Sequence, residues 1–231
     1  MQNSFKTNQV LNVNNFKALL ATEFKDEKNA IAWKRTLKGD FSEIISKIKV
    51  TENITSISKE QLRKLKLSAQ GQIARETLIN DLDTLTSFGA LPTLNIIKNY
   101  EKDTAFPFFP TDVYSFHVDK SPIATDTFLC TYSGEPSEII ANSEATQKIL
   151  IPEVVDGLKK LHDNTEEAFE DFLSAFFFDL HYQPKPNATI TNLGIGNLWK
   201  LAIKHPESNV LPCIHRAPIE KEGESRLLLI C

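Results

Sequence analysis

Two prolines inside one aromatic run, Phe106-Pro107-Phe108-Phe109-Pro110, stand near the point, about residue 100, where the character of this chain changes. Neither proline can donate to a helical ladder, and each ring clashes with the preceding turn, so no helix passes through the segment. Ahead of it, apolar residues recur at helical spacing. Behind it, they gather in short runs rich in β-branched and aromatic residues. A chain of 231 residues has room for one sizeable domain with a helical extension, or two small domains.

In the first half, Ser58-Lys59-Glu60-Gln61 has the form of a capping box, with Ser58 as N-cap and Gln61 three residues on. Leu62, Leu65, Ile73, Leu78, Leu82 and Leu85 continue at near-helical spacing as far as Phe88, and Gly89 and Pro92 supply the stop. Phe16, Leu19, Leu20 and Phe24 share the face of an earlier helix, and Ala30 to Arg35 reads as a short strand or anchor. The first half, residues 1–100, is therefore expected to be a helical region packed on the second half.

The second half, residues 101–231, predicts strands over Val113–Asp119, Phe128–Tyr132, Ile190–Thr191, Leu198–Ala202, Cys213–His215 and Arg226–Ile230. A helical insertion is expected at about 152–178, in two pieces that begin at Pro152 as a first helical residue and at Thr165 as an N-cap. Gly194-Ile195-Gly196-Asn197 lacks the third glycine of a nucleotide loop and reads as a tight turn. The expected class is α+β.

Composition narrows the functions. A net charge of −4 offers no basic stripe for nucleic acid, and no stretch approaches the length of a membrane span. Residues Met1 to Lys6 lack the apolar core of a signal peptide, and three cysteines do not make a disulfide framework, so a cytoplasmic protein with reduced thiols is expected.

The chemistry concentrates on His117, Asp119 and His215. A histidine and an aspartate two apart on a strand leave the same face, with Cα atoms roughly 6.6 Å apart, and can reach one small cation. A distant histidine would complete a set of two imidazoles and one carboxylate, which leaves coordination positions open and is the ligand pattern of Fe(II) oxygenases. Arg226, on the strand after His215, can grip a carboxylate through its two-pronged guanidinium, or can pair at the surface with Glu222 or Glu224. Arg216 would face away from His215. Cys213 shares the face of His215 and is either a fourth ligand, which would favour zinc, or a buried inert thiol. His162, His181 and His205 lack a partner at ligand spacing and read as surface residues.

The order His-x-Asp, distant His, then Arg resembles the 2-oxoglutarate/Fe(II)-dependent dioxygenase superfamily across residues 113–230. The resemblance implies a double-stranded β-helix, a jelly roll related to the cupins, with the metal in the barrel mouth. It also implies Fe(II) and 2-oxoglutarate as cofactors, Arg226 on the distal carboxylate, and Tyr132, Tyr114 or Asn197 as further carboxylate contacts. Each of those three, taken alone, is more often a packed aromatic or a turn residue. A closer likeness is to a bacterial family of unknown function marked by Phe-His-x-Asp, Cys-Thr-Tyr-x-Gly and His-Arg-Ser-Pro followed by Arg-Leu-x-Leu. Here these stand as Phe116-His117-Val118-Asp119, Cys130-Thr131-Tyr132-Ser133-Gly134, His215-Arg216-Ala217-Pro218 and Arg226-Leu227-Leu228-Leu229, with Trp33-Lys34-Arg35 upstream. Glu135-Pro136-Ser137 replaces the expected Gly-Thr pair, and Ala217 replaces Ser. The expected function is an Fe(II)- and 2-oxoglutarate-dependent dioxygenase acting with a small-molecule cosubstrate on an unidentified substrate. The alternative is a non-catalytic, cupin-like zinc protein of metal homeostasis.

Overall fold

The computed structural model describes residues 8–163 and 168–231. In chain order its strands are β1 (Val10–Val13), β2 (Ala30–Trp33), β3 (Ile54–Ser56), β4 (Thr93–Ile97), β5 (Phe116–His117), β6 (Asp126–Ser133), β7 (Glu138–Ile140), β8 (Ala145–Gln147), β9 (His181–Pro184), β10 (Ile190–Asn192), β11 (Leu198–Ala202), β12 (Ile214–Arg216) and β13 (Arg226–Ile230). Its helices are α1 (Phe16–Ala21), α2 (Phe41–Lys47), α3 (Lys59–Lys64), α4 (Ala69–Phe88), α5 (Pro152–His162) and α6 (Phe169–Ala175). The fold is α+β, with two largely antiparallel sheets. The larger has the order β1-β2-β11-β6-β13-β4-β3 and the smaller β10-β7-β12-β5-β9-β8. Among these strands only β1 and β2 pair in parallel.

Strand β6 shows why the layers form. Its side chains alternate faces, and six of its eight residues are buried because both faces are covered. Phe128, Cys130 and Tyr132 pack outward against the helices with Leu227 and Leu229, on a core that includes Leu19, Ile44, Leu62, Leu78 and Leu85. Leu129 points the other way, into a core with Leu228, Trp199, Leu201, Ile139 and Cys213 that joins the two sheets. Two further clusters cover the smaller sheet and the insertion: Phe116, Val118, Ile140, Leu180 and Ile214, and the aromatic group Phe109, Phe172 and Phe178 with Leu158 and Leu173.

The first hundred residues hold the expected helices but also contribute β1 to β4, four of the seven strands of the larger sheet. The helical stretch from Ser58 to Phe88 breaks in two. The Ser58–Gln61 capping box is present, but α3 ends at Leu65 in an extended conformation and Ser68 starts α4 by accepting from the Gly71 amide. Glu43 accepts from both the Ser68 amide and its hydroxyl, which fixes this second start. Gly89 ends α4 in the left-handed region at φ 101°, as a glycine permits. The strand expected over Val113–Asp119 shrinks to Phe116 and His117, because Asp112 accepts from the Tyr114 amide and turns the chain there. The N-cap expected at Thr165 lies outside the described residues; Pro152 does open α5.

Candidate metal centre

Strands β5 and β12 and the segment that follows β5 bring three side chains together. His117 on β5 and His215 on β12 are direct partners across an antiparallel pair, so both rings leave the same face, with centroids 4.5 Å apart. Asp119 lies two residues after His117 and is held by its own backbone carbonyl, which accepts from the Lys204 amide at 2.8 Å. Asp119 Oδ2 lies 3.6 Å from His215 Nε2. One donor atom from each of the three falls within 4.8 Å of the others, the one such grouping of His, Cys, Asp or Glu among the described residues. Ligand atoms each about 2.1 Å from one ion lie at most about 4.2 Å apart, so small side-chain rotations close the set around a cation.

The hydrogen bonds orient the ligand atoms. His117 Nδ1 lies 2.8 Å from the Ser115 carbonyl and His215 Nδ1 lies 3.2 Å from the Cys213 carbonyl, each two residues back. With both Nδ1 protons donated to backbone, the Nε2 lone pairs are left for a metal. The Thr127 hydroxyl donates to Asp119 Oδ2 at 2.6 Å, from β6 of the opposite sheet. Burial, helped by the nearby His215, lowers the His117 pKa to about 4, so its ring is neutral at pH 7. Burial alone would raise the Asp119 pKa, but His215, the Thr127 hydroxyl and His117 outweigh it and hold the carboxyl below its ordinary value. A neutral imidazole at His117 and an ionised carboxyl at Asp119 are the protonation states in which these groups bind a divalent cation.

His181, expected at the surface, is instead 3% exposed. It opens β9 directly opposite His117, with ring centroids 5.6 Å apart, so His215, His117 and His181 form a row across three neighbouring strands. Spacing along the chain could not reveal this, because His181 joins the row through strand pairing alone. The signal available was its position at the head of an alternating run, His181-Tyr182-Gln183-Pro184. Burial, His117 and Lys148 together lower its pKa to about 3.

The residues singled out for a cosubstrate carboxylate do not share one place. Arg226 is not a surface partner of Glu222 or Glu224: it is 1% exposed, and Nη2 donates to Ser137 Oγ at 2.6 Å and Thr131 Oγ1 at 3.1 Å. Gly134, at φ 82°, lets the turn pass it closely, since an added Cβ would meet the Arg226 Cα at 2.8 Å. Tyr114 donates to Glu220 Oε2 and accepts from the Tyr100 amide, at the same end as Arg226. Tyr132 points away from the metal residues, and its hydroxyl donates to Asp81 Oδ2 at 2.6 Å, next to the buried Arg35–Asp81 ion pair. Asn197 accepts from the Arg35 amide and donates to the Leu193 carbonyl, as a turn residue. Arg216 does face away from His215, pairing with Glu138 and lying over the Phe116 ring. Cys213 is buried, with its thiol pushed well above its usual pKa by burial, and contributes no atom to the grouping.

No helix among the described residues is long and apolar enough to cross a membrane. The chain matches no protein-family model, no curated protein and no solved structure.

Proposed function

We propose that this protein is a mononuclear metal-dependent oxygenase whose Fe(II) ion is held by His117, Asp119 and His215 and whose cosubstrate is 2-oxoglutarate. The observation that carries the reading is the orientation of the two histidines: both Nδ1 atoms face backbone carbonyls, which leaves both Nε2 atoms for the ion that Asp119 shares. Two imidazoles and a carboxylate on one side of an ion leave the other side open to exogenous ligands. Iron bound there would supply oxygen activation, while the chain orients the ligands and limits water.

The strand path supports a jelly-roll reading. Of the strands from β4 onward, β4, β6, β11 and β13 are neighbours in the larger sheet in the order β4-β13-β6-β11, and β5, β7, β10 and β12 are neighbours in the smaller one in the order β5-β12-β7-β10. Successive members of this set alternate between sheets except at β7 to β10, the path of an eight-stranded jelly roll. In this reading β1, β2 and β3 extend the larger sheet, and β8, α5, α6 and β9 form an insertion.

A second reading, a non-catalytic zinc protein, draws on a different observation. Leu129, Ile139, Trp199, Leu201 and Leu228 fill much of the space between the sheets, where a substrate would otherwise enter. A thermal-shift screen with Fe(II), Mn(II), Zn(II) and 2-oxoglutarate separates the two. The oxygenase reading expects stabilisation by Fe(II) or Mn(II), and a further rise with 2-oxoglutarate only when metal is present. Stabilisation by Zn(II) alone, with no response to 2-oxoglutarate, would replace it with the zinc reading.

A further inference from the structure

A cavity of about 330 Å³ lies between the start of β1, the turn before β2, the segment after β7 and the segment before β12. That size is near the lower end of the roughly 300–1,000 Å³ of small-molecule sites. The cavity shares no residue with the metal centre. Two of its walls are buried side chains with unmet needs. Gln9 is 3% exposed and Asn29 1%. Asn29 Nδ2 is fixed by three oxygens: Asn142 Oδ1 at 2.7 Å and the carbonyls of Leu211 and Pro212 at 3.1 and 3.4 Å. That orientation leaves Asn29 Oδ1 buried without a donor. Gln9 is emptier still, since neither its Oε1 nor its Nε2 has a partner. Buried amide groups cost stability unless something completes them. Three orphaned atoms on two walls of one cavity therefore point to a missing hydrogen-bonding ligand.

The charges around the cavity set the sign of that ligand. Asp26 and Glu27 are also walls, on an exposed turn closed by backbone bonds between Lys25 and Lys28. Neither carboxylate makes an ion pair among the described residues. No Lys, Arg or His lines the cavity: Lys25 and Lys28 only flank the turn, and Lys185 reaches the Ser143 carbonyl from outside the walls. Two carboxylates without a fixed cation favour a ligand of positive charge. Gln9 adds a donor beside an acceptor, the arrangement that pairs with another amide, whose carbonyl accepts and whose N–H donates. We propose that this cavity binds an α-amino amide: a protonated amine met by Asp26 and Glu27, and next to it an amide group paired with Gln9. Asn29 Oδ1 accepts a further N–H. Leu211, largely exposed, gives apolar cover to the ligand's side chain. A small amino-acid amide and the free N-terminus of a peptide both carry this chemistry. The proposal does not rest on the metal reading.

Titration calorimetry of the full chain with L-alaninamide tests this at pH 6.5, where an α-amino group of pKa about 8 is protonated. Propionamide keeps the amide but lacks the amine. The amidated tripeptide of alanine presents the same ammonium and first peptide group within a chain. Alaninamide should bind at least about tenfold more tightly than propionamide, since hydrogen bonds to charged groups are at stake. Asp26→Asn combined with Glu27→Gln, on an exposed turn, should remove that preference. Gln9→Leu should weaken alaninamide about 5- to 10-fold. Its ligand-free melting temperature should stay level or rise, because the amide it removes has no partner there. Tighter binding of the tripeptide than of alaninamide assigns the site to a peptide N-terminus, and the reverse to a free amino-acid amide. The proposal is overturned if the parent binds no alaninamide, if propionamide binds equally well, or if the double variant binds alaninamide like the parent. Should Gln9→Leu fail to fold, the double variant decides alone; should it fold and bind alaninamide like the parent, the amide pairing is overturned.

Discussion

His117 and His215 face each other across the β5–β12 pair, direct partners in register with ring centroids 4.5 Å apart. Antiparallel partners project to the same side of a sheet, so a single pairing between two short strands brings together ligands from widely separated parts of the chain. Each ring is then fixed by a carbonyl of its own strand, which makes the orientation of both nitrogens a local property.

Removal of the His215 ring should abolish stoichiometric metal binding and leave the fold intact. His215→Ala takes away one of three protein ligands, while the sheet cores around Leu129, Trp199 and Leu227 do not depend on an ion. Metal content by elemental analysis should fall at least about tenfold, with an unchanged circular dichroism spectrum. Full metal content in the variant would show that the three residues do not act together.

The metal-free protein should lose stability in acid earlier than its carboxylates alone would dictate. Burial lowers the pKa of His117 from 6.5 to about 4 and of His181 from 6.5 to about 3. Between those values and 6.5 the unfolded chain binds more protons than the folded one, so stability rises with pH through that window. The contribution is complete above about pH 6.5 and declines as pH falls toward 4 for His117 and 3 for His181. Urea midpoints measured from pH 7 to 4 should therefore fall steadily, and His181→Phe should flatten the curve. A parent curve without slope between pH 6.5 and 5 would contradict the burial of these rings.

Tyr132→Phe should cost stability without touching ligand binding. The phenol donates to Asp81 Oδ2 inside a buried group that includes the Arg35–Asp81 ion pair and a stacked Phe41 ring. Loss of a hydrogen bond to a buried charged acceptor costs about 1.5–3 kcal/mol, to be read from denaturant unfolding. Metal and carboxylate titrations should match the parent, because this side chain lies on the helix-covered face of β6. A weaker carboxylate titration would place Tyr132 at the ligand after all.

Much of the site's outline was legible along the chain. The spacing of His117 and Asp119 carried their shared direction, and β11 and β13 fall on the runs Leu198–Ala202 and Arg226–Ile230. Arg226 shows where such reading stops. The residues next to it in sequence include Glu222 and Glu224, which suggests a surface ion pair, yet strand pairing buries it against Thr131 and Ser137. Tyr132 and Asn197 fail for the same reason, since a residue's face depends on which strands flank it and on what covers the sheet.

Local chemistry along the chain was enough to set the helix-breaking run at Pro107 and Pro110, the capped start at Ser58, the glycine stop at Gly89, the strands of the second half and the identity of three metal-competent side chains. Each of these depends on interactions within a few residues: a missing amide, a side-chain cap, a left-handed glycine, a two-residue alternation. Long-range packing, in contrast, made four strands of the first hundred residues complete the larger sheet and brought His181 into the histidine row. Those outcomes depend on pairing between distant segments, whose register is chosen by the burial of whole faces rather than by any local pattern.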